Sequence, residues 1–397
     1  MRQLIIGLLL GTIVFGGCVS TDSGPMDSGT TFARDALGKY VDSGEIPGAV
    51  SVFYKDGVQE TCCIGYADVA ARRPISMDDV FMQCSQTKGF CGVTVAMLVE
   101  KGLLALDDPV SKYLPEFKEL WVEQKRVTGE RRLVKARNIL TVRHVMNHTG
   151  GFEFELPNCR AMGGWFRMMP LRSVAAVAAS QPLRFEPGTR VYYSNVGINV
   201  GAAIVEVVTG KRWEDFLRER VLEPLGMNAT SFRPTDAQLA RRIGMYEVAD
   251  GERAKRLDRD TGNWMQGPYN DDGVFPSAGA GLWTTVRDQL KFYRMLMNLG
   301  VGDNGARVLK AETVKSLLAV STRPATLSPS AYSLGLDAPQ KDGEDAWFGH
   351  DGALTSECRV NWHKRELKLW AIQICGKPRP WTKDWNLAAD RFFSRFR

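Results

Sequence analysis

An α+β fold is what this sequence predicts: an antiparallel sheet drawn from both ends of the chain and flanked by terminal helices, with a mainly helical subdomain inserted between its halves. Two strand pairs, one near each end, predict the sheet: Ala49 to Tyr54, which alternate around β-branched and aromatic residues, with the segment through Cys62 and Ile64, and Cys358 to Trp362 with Leu367 to Ile374. Segments of helical period between them predict the insertion. A chain of 397 residues that is 44% hydrophobic can bury a full core, as one large domain or two interlocked subdomains.

The first 31 residues stand apart. Arg2 gives a positive start, Leu4 to Phe15 form a short apolar run, and Gly16-Gly17 precede Cys18. That run is shorter than the ~20 residues a spanning helix needs. Residues 1–18 resemble a bacterial lipoprotein signal, which implies a lipid on Cys18; plain signal cleavage is the alternative, since Phe15 is unusual three positions before the cysteine. Residues 19–31, rich in Ser, Gly, Thr and Asp, read as a flexible tether. The expectation is an exported, lipid-anchored protein of the bacterial envelope, on the outer membrane given Val19 and Ser20 in place of aspartate, with a periplasmic or secreted protein as the alternative.

The domain proper is expected over 32–397, with a sheet subdomain of about 32–84 and 330–397 and a helical one of about 85–329. Ala49 to Tyr54 read as a strand, Lys55-Asp56-Gly57 as a hairpin turn, and the segment through Cys62 and Ile64 as its partner. Gly89 to Lys101 reads as a helix: Val93, Ala96, Met97 and Glu100 keep the period, and Gly102 fits the stop. Val174 to Ala179, Ile198 to Thr209 and Trp213 to Val221 follow as helices, then Cys358 to Trp362 and Leu367 to Ile374 as strands. Trp385, Ala388, Ala389, Phe392 and Phe396 make one apolar face of a last helix.

Three short strings carry the chemistry: Ser85-Gln86-Thr87-Lys88, Tyr193-Ser194-Asn195 and His350-Asp351-Gly352. A serine hydroxyl is a weak nucleophile until a base takes its proton. Lys88, three residues after Ser85 on the same helix face, can be that base once burial and the helix dipole disfavour its ammonium form. Tyr193 is a candidate proton relay, its phenol eased towards ionisation by a neighbouring lysine cation. Asn195 has an amide able to hold the lysine and a substrate carbonyl. His350 and Gly352 suit an edge strand beside the serine: His350 adds a polar or cationic group near the tyrosine, Gly352 lets substrate approach the backbone, and the N–H of Ala353 is a candidate oxyanion donor beside those at the helix start.

In this order and separation the strings resemble the serine β-lactamase-like superfamily, which includes class C β-lactamases, D,D-peptidases and family VIII carboxylesterases. The likeness extends through Leu140 to Gly151, Phe185 to Asn195, Glu223 to Met227 and Ser277 to Asp288, spanning roughly residues 32 to 375. It implies a β-lactamase/transpeptidase-like fold with Ser85 as nucleophile and Lys88 and Tyr193 as proton-transfer groups. Asn195, His350, Gly352 and Ala353 are then the substrate and oxyanion residues. The implied protein is a serine hydrolase using an acyl-enzyme on esters or amides, either an esterase or a D-amino-acid peptidase. The alternatives are a weak β-lactamase and a catalytically silent protein that binds peptidoglycan or a partner.

His350-Asp351-Gly352 replaces the Lys-Thr-Gly usual in β-lactamases of this superfamily, whose lysine and threonine help bind a substrate carboxylate. An aspartate facing the cleft would repel anions, so neutral or amine-bearing substrates are expected, unless strand alternation turns Asp351 outward as His350 turns in. The partners are thus a small ester, amide or peptide substrate, including one derived from peptidoglycan, and the membrane through the lipid anchor.

The net charge of +6 demands no nucleic acid. The densest basic stretch (Lys125, Arg126, Arg131, Arg132, Lys135, Arg137, Arg143) lacks interleaved aromatic groups for stacking bases and reads as an exposed loop or hairpin. Cys62 and Cys63 point to opposite faces of their strand as small apolar groups, and of the seven cysteines beyond Cys18 at least one, counting Cys84, Cys91, Cys159, Cys358 and Cys375, is free. His144 and His148 stand four apart, but Thr149-Gly150-Gly151 ends any helix there and no H-E-x-x-H glutamate is present, so His148 reads as a turn residue and not a metal ligand. His363 reads as part of a turn between strands. Met162, Trp165, Phe166, Met168 and Met169 are either subdomain core or an adaptable pocket wall. Acyl transfer by these residues needs no cofactor.

Overall fold

Strand β1 (Gly48–Lys55) runs through the middle of a six-stranded sheet because both of its faces are apolar: Ala49 and Phe53 on one side, Val50, Val52 and Tyr54 on the other, all buried. The computed structural model describes residues 31–125, 129–156, 169–249, 252–257, 275–319, 332–338, 343, 346–375 and 379–396. Asp56 and Gly57 take φ of 47° and 91°, the left-handed pair that matches strand twist in a two-residue hairpin, and lead into β2 (Val58–Asp68). A short β3 (Arg73–Pro74) closes that edge. The other half comes from the far end of the chain: β4 (Phe348–Gly352), β5 (Ser356–Asn361) and β6 (Glu366–Ala371). The order is β4-β5-β6-β1-β2-β3, antiparallel throughout. At the seam Val50 faces Ala371, and Lys55 Nζ lies 2.7 Å from Glu366 Oε1 across 311 positions of sequence.

The longer helices are α1 (Phe32–Ser43), α2 (Thr87–Glu100), α3 (Leu171–Ala179), α4 (Asn195–Thr209), α5 (Val286–Met297), α6 (Ala311–Ala319) and α7 (Trp381–Ser394). The terminal pair, α1 and α7, covers one face of the sheet: Trp385 stacks on Trp370 at 4.5 Å, and its Nε1 donates to Ser51 Oγ at 2.7 Å. The inserted helices cover the other face, where Phe90 of α2 and Phe292 of α5 stack at 3.7 Å above Val50 and Val52. Cys62 packs with the terminal helices and Cys63 with the insertion, as strand alternation requires. Thr31 caps α1 by accepting from Arg34 N at 3.1 Å, and residues 31–397 cluster as one unit.

Some boundaries differ from the sequence reading. Helix α4 starts at Asn195 and not Ile198, because Ser194 Oγ accepts from Gly197 N at 3.1 Å and so caps residues that lack an apolar period. Helix α2 begins two residues before Gly89 for a related reason: Thr87 Oγ1 donates to Cys84 O and ties it to the preceding turn. After Trp213–Leu217 the chain makes one wide π turn, Arg218–Leu222, in place of a regular helix to Val221. The basic stretch forms an exposed hairpin, Trp121–Lys125 against Arg131–Lys135, and His363 lies in the turn between β5 and β6. Among the described residues no helix is long and apolar enough to cross a membrane. Met169 packs on the core, while Cys18, Cys159, Met162, Trp165, Phe166 and Met168 lie outside the described residues.

Candidate active site

The chain turns into α2 through a short 3-10 turn, Cys84–Gln86, that begins with Cys84 at φ 50°. A non-glycine residue in the left-handed region is unusual enough to mark a tightly held bend. It presents Ser85 half-exposed, with Lys88 fully buried one turn on. Lys88 Nζ lies 3.1 Å from Ser85 Oγ and donates to the Gly279 carbonyl at 2.6 Å. Burial pulls its pKa down to about 7, although Glu155 works in the opposite direction. Gly279 must be a glycine, because a Cβ there would sit 2.7 Å from Asn195 Cβ.

Tyr193 immediately precedes Ser194, the cap of α4, so its position is fixed by the helix start. Its ring lies 4.5 Å from Lys88 Nζ, and its hydroxyl is hydrogen-bonded to Ser85 and 3.5 Å from His350 Nε2. Burial pushes the phenol well above its ordinary pKa. The expectation of an easily ionised tyrosine is therefore reversed: desolvation strips Lys88 of its charge and Tyr193 of its tendency to ionise together. His148 packs on this ring at 4.6 Å, and its Nδ1 accepts from Ser194 N at 3.2 Å. It is the turn residue expected, at φ 64°, and also a support for Tyr193 that the sequence reading missed. His144 serves a different turn: its Nδ1 accepts from Thr141 N at 3.3 Å.

Strand β4 lies at the edge of the sheet, with His350 and Gly352 inside and Asp351 turned out, its side chain 60% exposed. His350 Nδ1 lies 2.7 Å from the Asp351 carbonyl, which can only accept, so Nδ1 carries the proton and Nε2 faces Tyr193 as an acceptor. Burial lowers the pKa of His350, which makes it a neutral neighbour and not a cationic one. Gly352 is needed for packing: a Cβ would lie 2.5 Å from Gln83 O and 2.4 Å from Ser356 Oγ. What approaches its backbone is the nucleophile loop, where substrate had been expected. The N–H groups of Leu354 and Ala353 face the Cys84 thiol, which puts the Ala353 amide beside residues 84–85.

Asn195 departs from expectation. Its Nδ2 donates to Glu155 Oε1 at 2.5 Å, its Oδ1 is buried without a partner, and the lysine takes the Gly279 carbonyl instead. Beneath the serine a buried polar lock ties the parts together. Gln86 Nε2 donates to Ser356 Oγ at 2.9 Å, while Gln86 Oε1 accepts from Gln289 Nε2 at 2.8 Å and from the Tyr293 hydroxyl at 3.0 Å. Asp337, His350 and Asp351 bring possible metal-ligand atoms within 4.8 Å of one another, but Arg359 Nη1 sits 2.8 Å from Asp337 and supplies positive charge there. Arg359 also reaches Glu357 at 3.1 Å and Asp351 at 3.8 Å. One guanidinium thus serves three carboxylates.

Residues 33–363 match the family model described as Beta-lactamase. The chain is 31% identical to Protein Rv1367c of Mycobacterium tuberculosis over 69% of its own length and 68% of that protein's. It is 27% identical to Penicillin-binding protein 4 of Amycolatopsis lactamdurans, over 78% and 75%. Among solved structures, EstCE1, a hydrolase with promiscuous acyltransferase activity, superposes with a TM-score of 0.71 at 20% identity, covering 90% of this chain and 97% of that one.

Proposed function

The chain belongs to the Beta-lactamase family as a serine hydrolase of that fold, and from this premise we propose that it forms an acyl-enzyme on Ser85 from neutral or amine-bearing esters and amides. The observation that carries the reading is the fully buried Lys88, with Nζ 3.1 Å from Ser85 Oγ and a pKa of about 7. Neutral Lys88 takes the Ser85 proton as Oγ bonds to the substrate carbonyl carbon. The oxyanion forms against the backbone N–H groups of Ser85 and Ala353. Collapse breaks the bond to the leaving group, which takes its proton from the Tyr193 hydroxyl, and Tyr193 is reprotonated from Lys88. Water then repeats the sequence on the acyl-enzyme and frees Ser85.

The charge around β4 supports the substrate class. Asp337, Asp351 and Glu357 gather around Arg359, and Arg379, whose Nη2 donates to Ala353 O at 3.0 Å, adds a second positive charge near Asp351, so the carboxylates of this edge outnumber its guanidiniums by only one and no cation is left in surplus for an anion. An anionic substrate is disfavoured there even with Asp351 turned outward. The test is intact mass after a fluorophosphonate probe, with Ser85→Ala alongside, followed by relative rates on a short-chain ester, a D-alanyl peptide and a chromogenic cephalosporin. A single adduct lost in the variant, with ester or peptide turnover above cephalosporin turnover, is expected. No adduct on folded protein would point to the silent binder, and cephalosporin turnover at the rate of efficient enzymes would overturn the charge argument. Residues 1–18 are proposed as an export signal with Cys18 lipidated; mass spectrometry of the mature N-terminus from the native host decides between lipid and plain cleavage.

A further inference from the structure

The segment Lys118 to Arg137 holds seven basic and three acidic residues, a net +4 in a chain whose total is +6. A stretch of twenty residues thus carries an excess equal to two thirds of the net charge of the chain, and its centre is a hairpin formed by pairing Trp121 with Lys135, Glu123 with Leu133 and Lys125 with Arg131. Paired residues share a face, so this register puts Trp121 and Leu133 among Arg131 and Lys135 on the outward side. The inner side is anchored by Val122, which is buried. Trp121 is 48% exposed, Leu133 52% and Ile139, a few residues on, 64%, an unusual outlay of large apolar surface beside the exposed Arg131 and Lys135 of the same face and the exposed Arg137 that follows. The ion pairs on this face, Arg131 with Glu123 at 3.2 Å and Lys135 with Glu119 at 2.9 Å, are open to solvent and do not neutralise the excess.

We propose that this hairpin docks on the surface of a bilayer rich in anionic phospholipid, with Trp121, Leu133 and Ile139 seated at headgroup level and the arginines and lysines on lipid phosphates. A soluble polyanion would use the charges alone; the tryptophan and aliphatic groups beside them favour lipid, because an indole prefers the membrane interface and basic residues near it add attraction that salt screens. The hairpin is held firmly to the body of the protein: Glu123 N donates to Leu183 O at 2.8 Å, and Leu183 N to Trp121 O at 2.7 Å. Docking needs no rearrangement of the segment that leads to Tyr193.

The test uses residues 31–397, which form one unit, so that the N-terminal apolar run plays no part. Co-sedimentation is measured with vesicles of phosphatidylcholine alone and of phosphatidylcholine with phosphatidylglycerol in equal parts, at low and high salt. Binding to the anionic vesicles at least tenfold stronger than to the neutral ones, and weakened by salt, is expected. The pair Arg131→Glu with Lys135→Glu should lose about tenfold or more, and Trp121→Ser with Leu133→Ser several-fold on vesicles but nothing on heparin. Fluorophosphonate labelling at wild-type rate shows that each variant is folded. Equal binding to both vesicle types overturns the proposal, and so does apolar-pair loss that is the same on heparin. Retention of vesicle binding in the apolar variant would assign the face to soluble polyanions instead.

Discussion

Below pH 7 Lys88 is a buried cation, which is both a poor base and a penalty on folding. Acylation should rise with pH along a limb of apparent pKa near 7 and hold through the range where Tyr193 keeps its proton; a kcat/KM profile with a short-chain ester checks this. The stability sign follows from the same shift. Between about 7 and the ordinary 10.5 the unfolded chain binds a proton at this site and the folded one does not, so folding gains with rising pH across that window. At ~1.4 kcal/mol per unit the increment is a few kcal/mol, and urea midpoints should show it in the wild type and not in Lys88→Met. Lys88→Met should also lose acylation by several orders of magnitude. Ser85, Lys88 and Tyr193 could be picked out from the sequence because side-chain identity and spacing mark them, and the structure brings the three side chains together. The lysine's second partner was not, because Gly279 acts through a carbonyl that every residue possesses. Nor was the direction of the Tyr193 shift, which depends on how deeply a ring is enclosed.

Helix α2 is held by close backbone approach along its length, at Gly92, and by a polar lock in the turn before its start, at Gln86. A Cβ on Gly92 would lie 1.8 Å from the Leu334 carbonyl, so Gly92→Ala should destabilise the protein although alanine improves helix propensity by ~1 kcal/mol; a lowered urea midpoint measures it. Gln86→Leu strands the hydroxyls of Ser356 and Tyr293 in a dry interior, at ~1–3 kcal/mol for each group left unpaired, while Gln289 Nε2 keeps Gln83 Oε1 at 3.2 Å. Because the same side chain joins the serine turn to β5, turnover should fall with KM little changed, whereas Gln86→Glu should keep part of the rate through its acceptor oxygen. Elements with strict alternation or turn chemistry, such as the β1–β2 hairpin with Asp56-Gly57, were readable from sequence alone. Helix starts set by a polar cap, such as Ser194 before α4, escaped the periodicity because their first turns are not apolar.

The whole molecule depends on a last helix that brings Trp381, Trp385, Phe392 and Phe393 onto the sheet formed near its start. Trp385→Ala removes a stacked ring and the donor to Ser51, and a loss of ~3–5 kcal/mol in chemical denaturation is expected. Sequence predicted that the two strand pairs meet; the order in which β6 joins β1 needed the structure, since the pattern along a strand tells which face is buried and gives no clue to the neighbour it pairs with. That seam has a temporal consequence. A growing chain exposes β1 long before β6 has been synthesised, so the central pairing must wait until residues 366–371 are available. During synthesis the β1–β2 hairpin is an unpaired, apolar edge, and a polypeptide halted short of α7 should be a substrate for chaperones and proteases and never a smaller stable domain.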